Sequence, residues 1–292
     1  MEFGDVAIDE AEGAILAHSL RLEAKTLKKG IVLTADDLAI LRDAGYSEVV
    51  AARLGPDDVV ENDAANRLVR AMVGDGVAAA AAFTGRANLY AESAGVTAYD
   101  PARLNAFNLV DEAVTLALVP PYQAVEQGQM MGTLKIIPFA VPEDVVLLTE
   151  SIARGDSPMV RVATFRPTKV GLVQTRLPGT KESVLDSTLE VTRGRLHPMG
   201  SEVCHEVRCD HAPDAIAKAI EATLRNGAQM VLISGASAVV DRRDVVPTGI
   251  VAAGGAITHF GMPVDPGNLM LMAQIGDTPV IGLPGCARSP KL

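Results

Sequence analysis

Met230-Val231-Leu232-Ile233 runs directly into Ser234-Gly235-Ala236-Ser237-Ala238, and Asp241-Arg242-Arg243-Asp244-Val245-Val246-Pro247 follows. Four apolar residues in a row, bounded by small ones, read as a buried strand, and Pro247 to Ala253 reads as a helix closed by Gly254-Gly255. A strand that empties into small side chains ahead of a helix leaves backbone N–H groups open to an anion, with Asp244 beside them. Tight packing alone also selects small residues there, and an acid at that place also caps a helix. Both readings of the loop and of Asp244 stay open.

Working outward, the pattern is regular on both sides of this loop. Val170 to Thr175 is an apolar strand, and Lys181 to Leu196 carries Val184, Leu185, Leu189 and Val191 at helical spacing. Glu202 to Cys209 reads as a second strand. Pro213 to Asn226 reads as a helix with Ile216, Ile220 and Leu224 one turn apart, proline in its first turn and Gly227 as its stop. Gln229 to Ile233 is the third strand, and Asn268 to Ile275 with Thr278 to Leu283 form a hairpin across Gly276-Asp277. Strand, helix, strand, helix, strand predicts a parallel sheet with helices on both faces.

In such a sheet ligands lie beyond the carboxyl ends of the strands. Those ends are Thr175-Arg176, Asp210-His211, Ser234 to Ser237, and Pro284-Gly285-Cys286. Asp210 precedes Pro213 much as Asp244 precedes Pro247, so it too caps a helix or serves a ligand. Two rim carboxylates would suit Mg²⁺ shared with ligand phosphates. Asp186 caps the first crossover helix or points into the rim. Arg242 and Arg243 are surface charges, or one of them meets an anion. His259 is read as packed in the core. Cys204-His205 and Cys209-Asp210-His211 do not make one zinc site, because strict alternation sends Val203, His205, Val207 and Cys209 to one face and Cys204, Glu206, Arg208 and Asp210 to the other.

The chain has 292 residues, enough for two domains, with 48% hydrophobic and 21% charged residues. With 3% aromatics and no tryptophan, Ala, Val, Leu and Ile fill the core, which favours α/β layers. A net charge of −10 argues against general nucleic-acid binding. No run of about 18 apolar residues predicts a membrane span. The acidic start Met1-Glu2-Phe3-Gly4-Asp5 is unlike a signal peptide, and three cysteines fit a reducing compartment, so the expected location is cytoplasmic.

Residues 1–160 read as a mixed α/β N-terminal domain of undefined role. Glu10 to Leu22 fits an amphipathic helix. Thr34 with Asp36-Asp37 caps a short helix ended by Gly45, and Ser47 to Leu54 is a strand. Asn62 to Val73 and Asn105 to Leu118 fit helices, and Met130 to Pro138 a strand. Thr84-Gly85-Arg86-Ala87-Asn88 is a polar island, either surface or reaching a ligand. Ala153 to Pro158 reads as the hinge before the second domain.

Arg243-Asp244-Val245-Val246-Pro247, behind Ser234-Gly235-Ala236-Ser237 and a hydrophobic strand, resembles the signature loop of the molybdenum-cofactor biosynthesis (molybdopterin-binding) domain. That domain occurs in molybdopterin adenylyltransferase and molybdopterin molybdenumtransferase. Val170 to Thr175, Asp210 with Asp214 and Ile216, Pro266-Gly267, and Leu283-Pro284-Gly285 with Ser289 keep the family's order. The likeness spans about residues 169–292; before it, Leu27-Lys28-Lys29-Gly30 and Leu41 to Val50 are loosely similar to the molybdenumtransferase.

The resemblance implies a C-terminal three-layer α/β/α domain with a mostly parallel sheet that binds molybdopterin or its adenylylated form. It implies Mg²⁺ held by Asp244 and Asp210, the chemistry falling there, with ATP or molybdate as the other reactant. Thr175, Asp186, Ser234, Gly235, Ala236, Ser237, Arg243, Pro266, Gly267, Pro284, Gly285 and Ser289 would line the pterin site. The alternative is a non-catalytic cofactor-binding or regulatory module on the same fold. Three departures bear on this choice. Ala236 stands where the family has a second glycine, Thr175-Arg176-Leu177 lacks the usual acid, and Asp265 and Asn268 replace lysines. The expected partners are a small-molecule pterin, further copies of the chain in a homo-oligomer, and a fused domain beyond Leu292, where the family continues into a helix.

Overall fold

A computed structural model describes residues 1–23, 25–263 and 268–290. The chain is mixed α/β and divides into two compact units, Met1–Thr164 and Phe165–Leu292. Among the described residues no helix is long and apolar enough to cross a membrane. The Ala153–Pro158 turn lies inside the first unit. Arg161–Thr164 still pairs antiparallel with Gly95–Ala98, so the chain leaves this unit only after that strand.

The first unit holds two apolar clusters. One is built on Val6, Ile8, Leu16, Leu27, Leu33, Leu38, Leu41 and Ala51, and the other on Leu68, Met72, Leu89, Phe107, Leu116, Leu134 and Ile136. Helix Ala35–Asp43 begins as expected at Thr34, whose hydroxyl accepts the Asp37 N–H while the Asp37 carboxylate accepts the Thr34 N–H.

One expected helix is absent and another is cut short. Residues 10–22 form a 3-10 turn, Ile8–Glu10, and short strands at Ile15–Leu16 and Leu20–Arg21. Gly13, at φ 78, breaks the helical path, and Ile15 and Leu16 pair with Ala52 and Ala51. In the second case Pro101–Asn108 is helical but Val114–Leu118 is a strand with Val114 and Leu116 inward. The Asn108 amide bonds both the N–H and the C=O of Leu116, which pins the strand against the helix end.

The second unit carries Lys169–Arg176 (β1), Glu182–Leu196 (α1), Glu202–Asp210 (β2), Pro213–Arg225 (α2), Met230–Ser234 (β3), Val245–Ala252 (α3), Ala256–Met262 (β4), Asn268–Ile275 (β5) and Thr278–Leu283 (β6). They form one sheet in the order β2-β1-β3-β6-β5-β4. The β2-β1, β1-β3 and β3-β6 pairs are parallel, and β6-β5 and β5-β4 are antiparallel.

One face buries Val173, Val231 and Ile233 under Ile216 and Ile220 of α2 and Val246 and Ile250 of α3. The other buries Val170, Leu172 and Leu232, with Leu189 and Leu196 of α1 packed on them. Each such side chain contributes about 1.5–3 kcal/mol when fully buried. Helices α2 and α3 approach closely because Gly249 has no side chain: a Cβ there would lie 2.7 Å from Ile216 Cβ and 3.0 Å from the Pro213 carbonyl oxygen.

Strict alternation fails at the start of β2. Val170 pairs with Val203 but Gly171 with His205, so Cys204 is an extra residue in a bulge. Val203 therefore packs on the α1 face while Val207 and Cys209 pack on the α2 face. His259 is not a core histidine: β4 is an edge strand with irregular pairing around it, and its side chain is exposed.

Candidate functional site

Parallel register brings the strand ends out level along one edge. Arg176 of β1 stands opposite Asp210 of β2, Gln174 opposite Ser234 of β3, and Ser234 opposite Leu283 of β6. Pairing of that kind places the loops after four strands side by side.

Thr175 is the junction of these loops. Its side chain is fully buried; Oγ1 accepts the Ala236 N–H at 2.6 Å and lies 2.9 Å from His211 Nδ1 in a hydrogen bond. One hydroxyl thus ties β1 to the loop after β3 and to the residue following β2. Gly235 sits within this junction: a Cβ on it would come 3.0 Å from the Ser237 carbonyl oxygen, 3.2 Å from Val246 Cγ2 and 4.0 Å from His211 Cε1. Beneath it, Ser234 Oγ accepts Arg288 Nε–H at 3.2 Å, and Arg288 Nη2 donates to the Gly235 carbonyl. The Pro284 turn is held by Arg195 of α1, which donates to the Ala287 carbonyl and, at 2.6 Å, to that of Ser289.

Beside the junction a pocket of about 500 Å³ is lined by Arg176 through Thr180, Glu182, Asp210 and His211. Its floor loop is stapled, the Leu177 N–H donating to Thr180 Oγ1 and the Thr180 N–H to the Leu177 carbonyl, both at 3.0 Å. The guanidinium of Arg176 lies 3.5 Å from Glu182 and 3.7 Å from Asp210, and both partners are well exposed. Such a pocket offers an anionic group the Arg176 cation, shared with two exposed carboxylates, and the His211 imidazole.

The remaining expected residues are placed otherwise. Asp244 is the N-cap of α3: Oδ1 accepts the Val245 N–H at 2.7 Å and Oδ2 the Val240 N–H at 3.1 Å. Helix α3 thus starts two residues before Pro247. Arg243 is exposed and pairs with Asp241 at 3.0 Å, while Arg242 lies over the Phe260 ring at 5.8 Å. Hydrogen bonds from the Arg243 backbone and side chain hold the Asp241 carboxyl below its usual range. Asp186 neither caps a helix nor enters the pocket; it accepts Arg208 Nη2 at 2.7 Å. Ser237 is exposed, and Pro266 and Gly267 lie outside the described residues. His211 and Arg288 are the residues that the loop motifs did not single out. The available signal was position alone, the first residue past β2 and the last of the 3-10 turn after β6.

Next to the rim, Arg208 donates to Glu206 at 2.6 Å and to Glu182 and Asp186 at 2.7 Å each, and these acids raise its pKa further above the ordinary arginine value. Gln174, wholly buried, donates to the Leu185 carbonyl and to Glu206, while its Oε1 has no partner among the described residues. Burial, helped by neighbouring Asp210, pushes the Cys209 thiol up to about 11. Among the described residues no group of three or more His, Cys, Asp or Glu side chains is placed to hold a metal ion.

A family model described as "Domain of unknown function (DUF8806)" matches residues 5–53, which lie in the first unit. No curated protein matches the chain. Among solved structures, the crystal structure of NadC from Streptococcus pyogenes aligns over 60% of this chain and 68% of that chain, at 14% identity and a TM-score of 0.19. A likeness that low carries no argument about fold or activity.

Proposed function

We propose that Phe165–Leu292 is a three-layer α/β/α molybdopterin-binding domain, and that the chain binds and carries molybdopterin or its adenylylated form in the cytoplasm. One observation carries the reading: the Thr175–Ala236–His211 junction, which joins three strand-end loops beside a pocket of about 500 Å³. The pterin's terminal phosphate would meet Arg176 and His211. Pro284-Gly285, anchored through Arg195 and Arg288, would form the neighbouring wall.

Carriage is favoured over turnover by the state of the two acids. Both Asp244 oxygens serve backbone N–H groups, and Asp210 faces Arg176. With the Asp244 oxygens so occupied, a magnesium ion, which takes near-octahedral oxygen donors, would find only the exposed Asp210 carboxylate open. The family's phosphate chemistry depends on charge stabilisation at that place.

The test is to purify the protein, oxidise any bound pterin and read its fluorescence, then to assay pterin binding with Mg²⁺ and ATP. Bound pterin without AMP formation or release supports carriage. AMP turnover that Asp244→Asn abolishes would replace carriage with catalysis, and absence of pterin binding would discard the reading altogether.

A further inference from the structure

A second cavity, of about 600 Å³, lies in the first unit. Its apolar lining is Met1, Phe3, Ile137, Pro138 and Phe139, of which Phe3 and Ile137 are more than half exposed. Its charged lining is Lys29, Lys135 and Glu61. Local structure fixes all three. Lys29 lies with its ammonium 5.6 Å from the centre of the Phe139 ring. Lys135 donates to the Thr84 carbonyl, and Thr84 is a non-glycine residue at positive φ, 47°. Glu61 opens helix Glu61–Met72, its own N–H donating to the Phe139 carbonyl at 2.8 Å.

The carboxylate and one ammonium converge. Glu61 Oε2 and Lys135 Nζ lie 2.7 and 3.1 Å from the single point where a Gly85 side chain would begin. Burial raises the Glu61 pKa against the pull of Lys135 and Lys29. Neither Glu61 oxygen accepts a hydrogen bond among the described residues. The N-terminal ammonium, the other cation nearby, is already paired with the buried carboxylate of Asp58 at 2.7 Å.

Two ammoniums against one carboxylate leave one positive charge, set among aromatic and aliphatic side chains in a cavity of ligand size. We propose that this cavity binds a small amphipathic monoanion, an aryl or alkyl carboxylate whose apolar body packs on Phe3, Ile137 and Phe139 and whose carboxylate is held by Lys135 and Lys29. A phosphate dianion would exceed the single net positive charge of the site, so it binds more weakly. The site is separate from the pterin pocket and does not depend on that reading.

The experiment titrates the full-length protein with 4-phenylbutyrate and with the neutral 4-phenylbutanamide by calorimetry, and follows backbone amides of Gly30, Gly85 and Phe139 by NMR. The carboxylate should bind at least about tenfold tighter than the amide, the difference made by one charge-assisted hydrogen bond. Lys135→Gln and Lys29→Gln should each weaken it by about tenfold while unfolding as the wild type does. Equal binding of acid and amide, unchanged binding in both folded variants, or no binding up to about 10 mM would overturn the proposal. A phenyl phosphate that binds tighter than the carboxylate would overturn the monoanion assignment.

Discussion

Replacing Thr175 by valine keeps the shape of a fully buried side chain and removes only its hydroxyl. Two hydrogen bonds disappear, the 2.6 Å bond from the Ala236 N–H and the 2.9 Å bond with His211 Nδ1. Each is worth about 0.5–1.5 kcal/mol net, and a donor left buried without a partner costs about 1–3 kcal/mol. His211 is half-buried and can turn toward water, whereas the Ala236 N–H is fixed by its loop, so the second figure falls on one group. The sum is a destabilisation of about 2–3 kcal/mol. In urea, with a slope of about 1–3 kcal/mol per molar, the midpoint should fall by roughly 1 M at unchanged slope. Because the same hydroxyl positions the loop after β3, pterin binding should weaken by at least about tenfold even where the variant is fully folded. A midpoint within about 0.2 M of wild type, or full-strength pterin binding, would refute the junction argument.

Gly249→Ala should destabilise the second unit by about 1–3 kcal/mol in urea melts, because overpacking against Ile216 outweighs the roughly 1 kcal/mol helix preference for alanine. Asp37 is held below its usual pKa first by the hydrogen bond from Lys25 and then by those from Thr34. A depressed folded-state value means its stabilisation is complete above the unfolded pKa and disappears as pH falls through the folded one. Asp37→Asn should therefore cost about 1–2 kcal/mol at pH 7 and progressively less below about pH 4, and a cost independent of pH would contradict this. The Cys209 thiol, pushed up to about 11, should alkylate with iodoacetamide at pH 8 far more slowly than exposed Cys286; peptide mass spectrometry reads the ratio, and equal rates would count against its burial.

In the second unit several elements were legible because they carry their own punctuation, although α3 starts two residues ahead of Pro247. Pro213 and Gly227 bracket α2, and Gly276-Asp277 turns β5 into β6. In the first unit the apolar spacing of residues 10–22 fits a helix equally well, and only Gly13 and the partners waiting at Ala51 and Ala52 select strands. The site was legible as a set of strand ends but not as a set of contacts. Asp244 was visible as an acid before a helix, and whether it capped that helix or faced a ligand depended on where the Val240 and Val245 N–H groups came to lie.

By itself the sequence determined the alternation of strand and helix over residues 169–234, because hydrophobic period and turn residues act within a few positions along the chain. Tertiary structure alone decided that the bulge at Cys204 reverses the facing of β2, that Thr175 rather than Asp244 joins the loop of Ser234 to its neighbours, and that Lys29, Glu61 and Lys135 share one cavity. The reason is physical. Register and side-chain convergence are set by partners tens of residues away, and a hydroxyl, a carboxylate or an ammonium acquires its role only from the donor or charge that packing brings within about 3 Å of it.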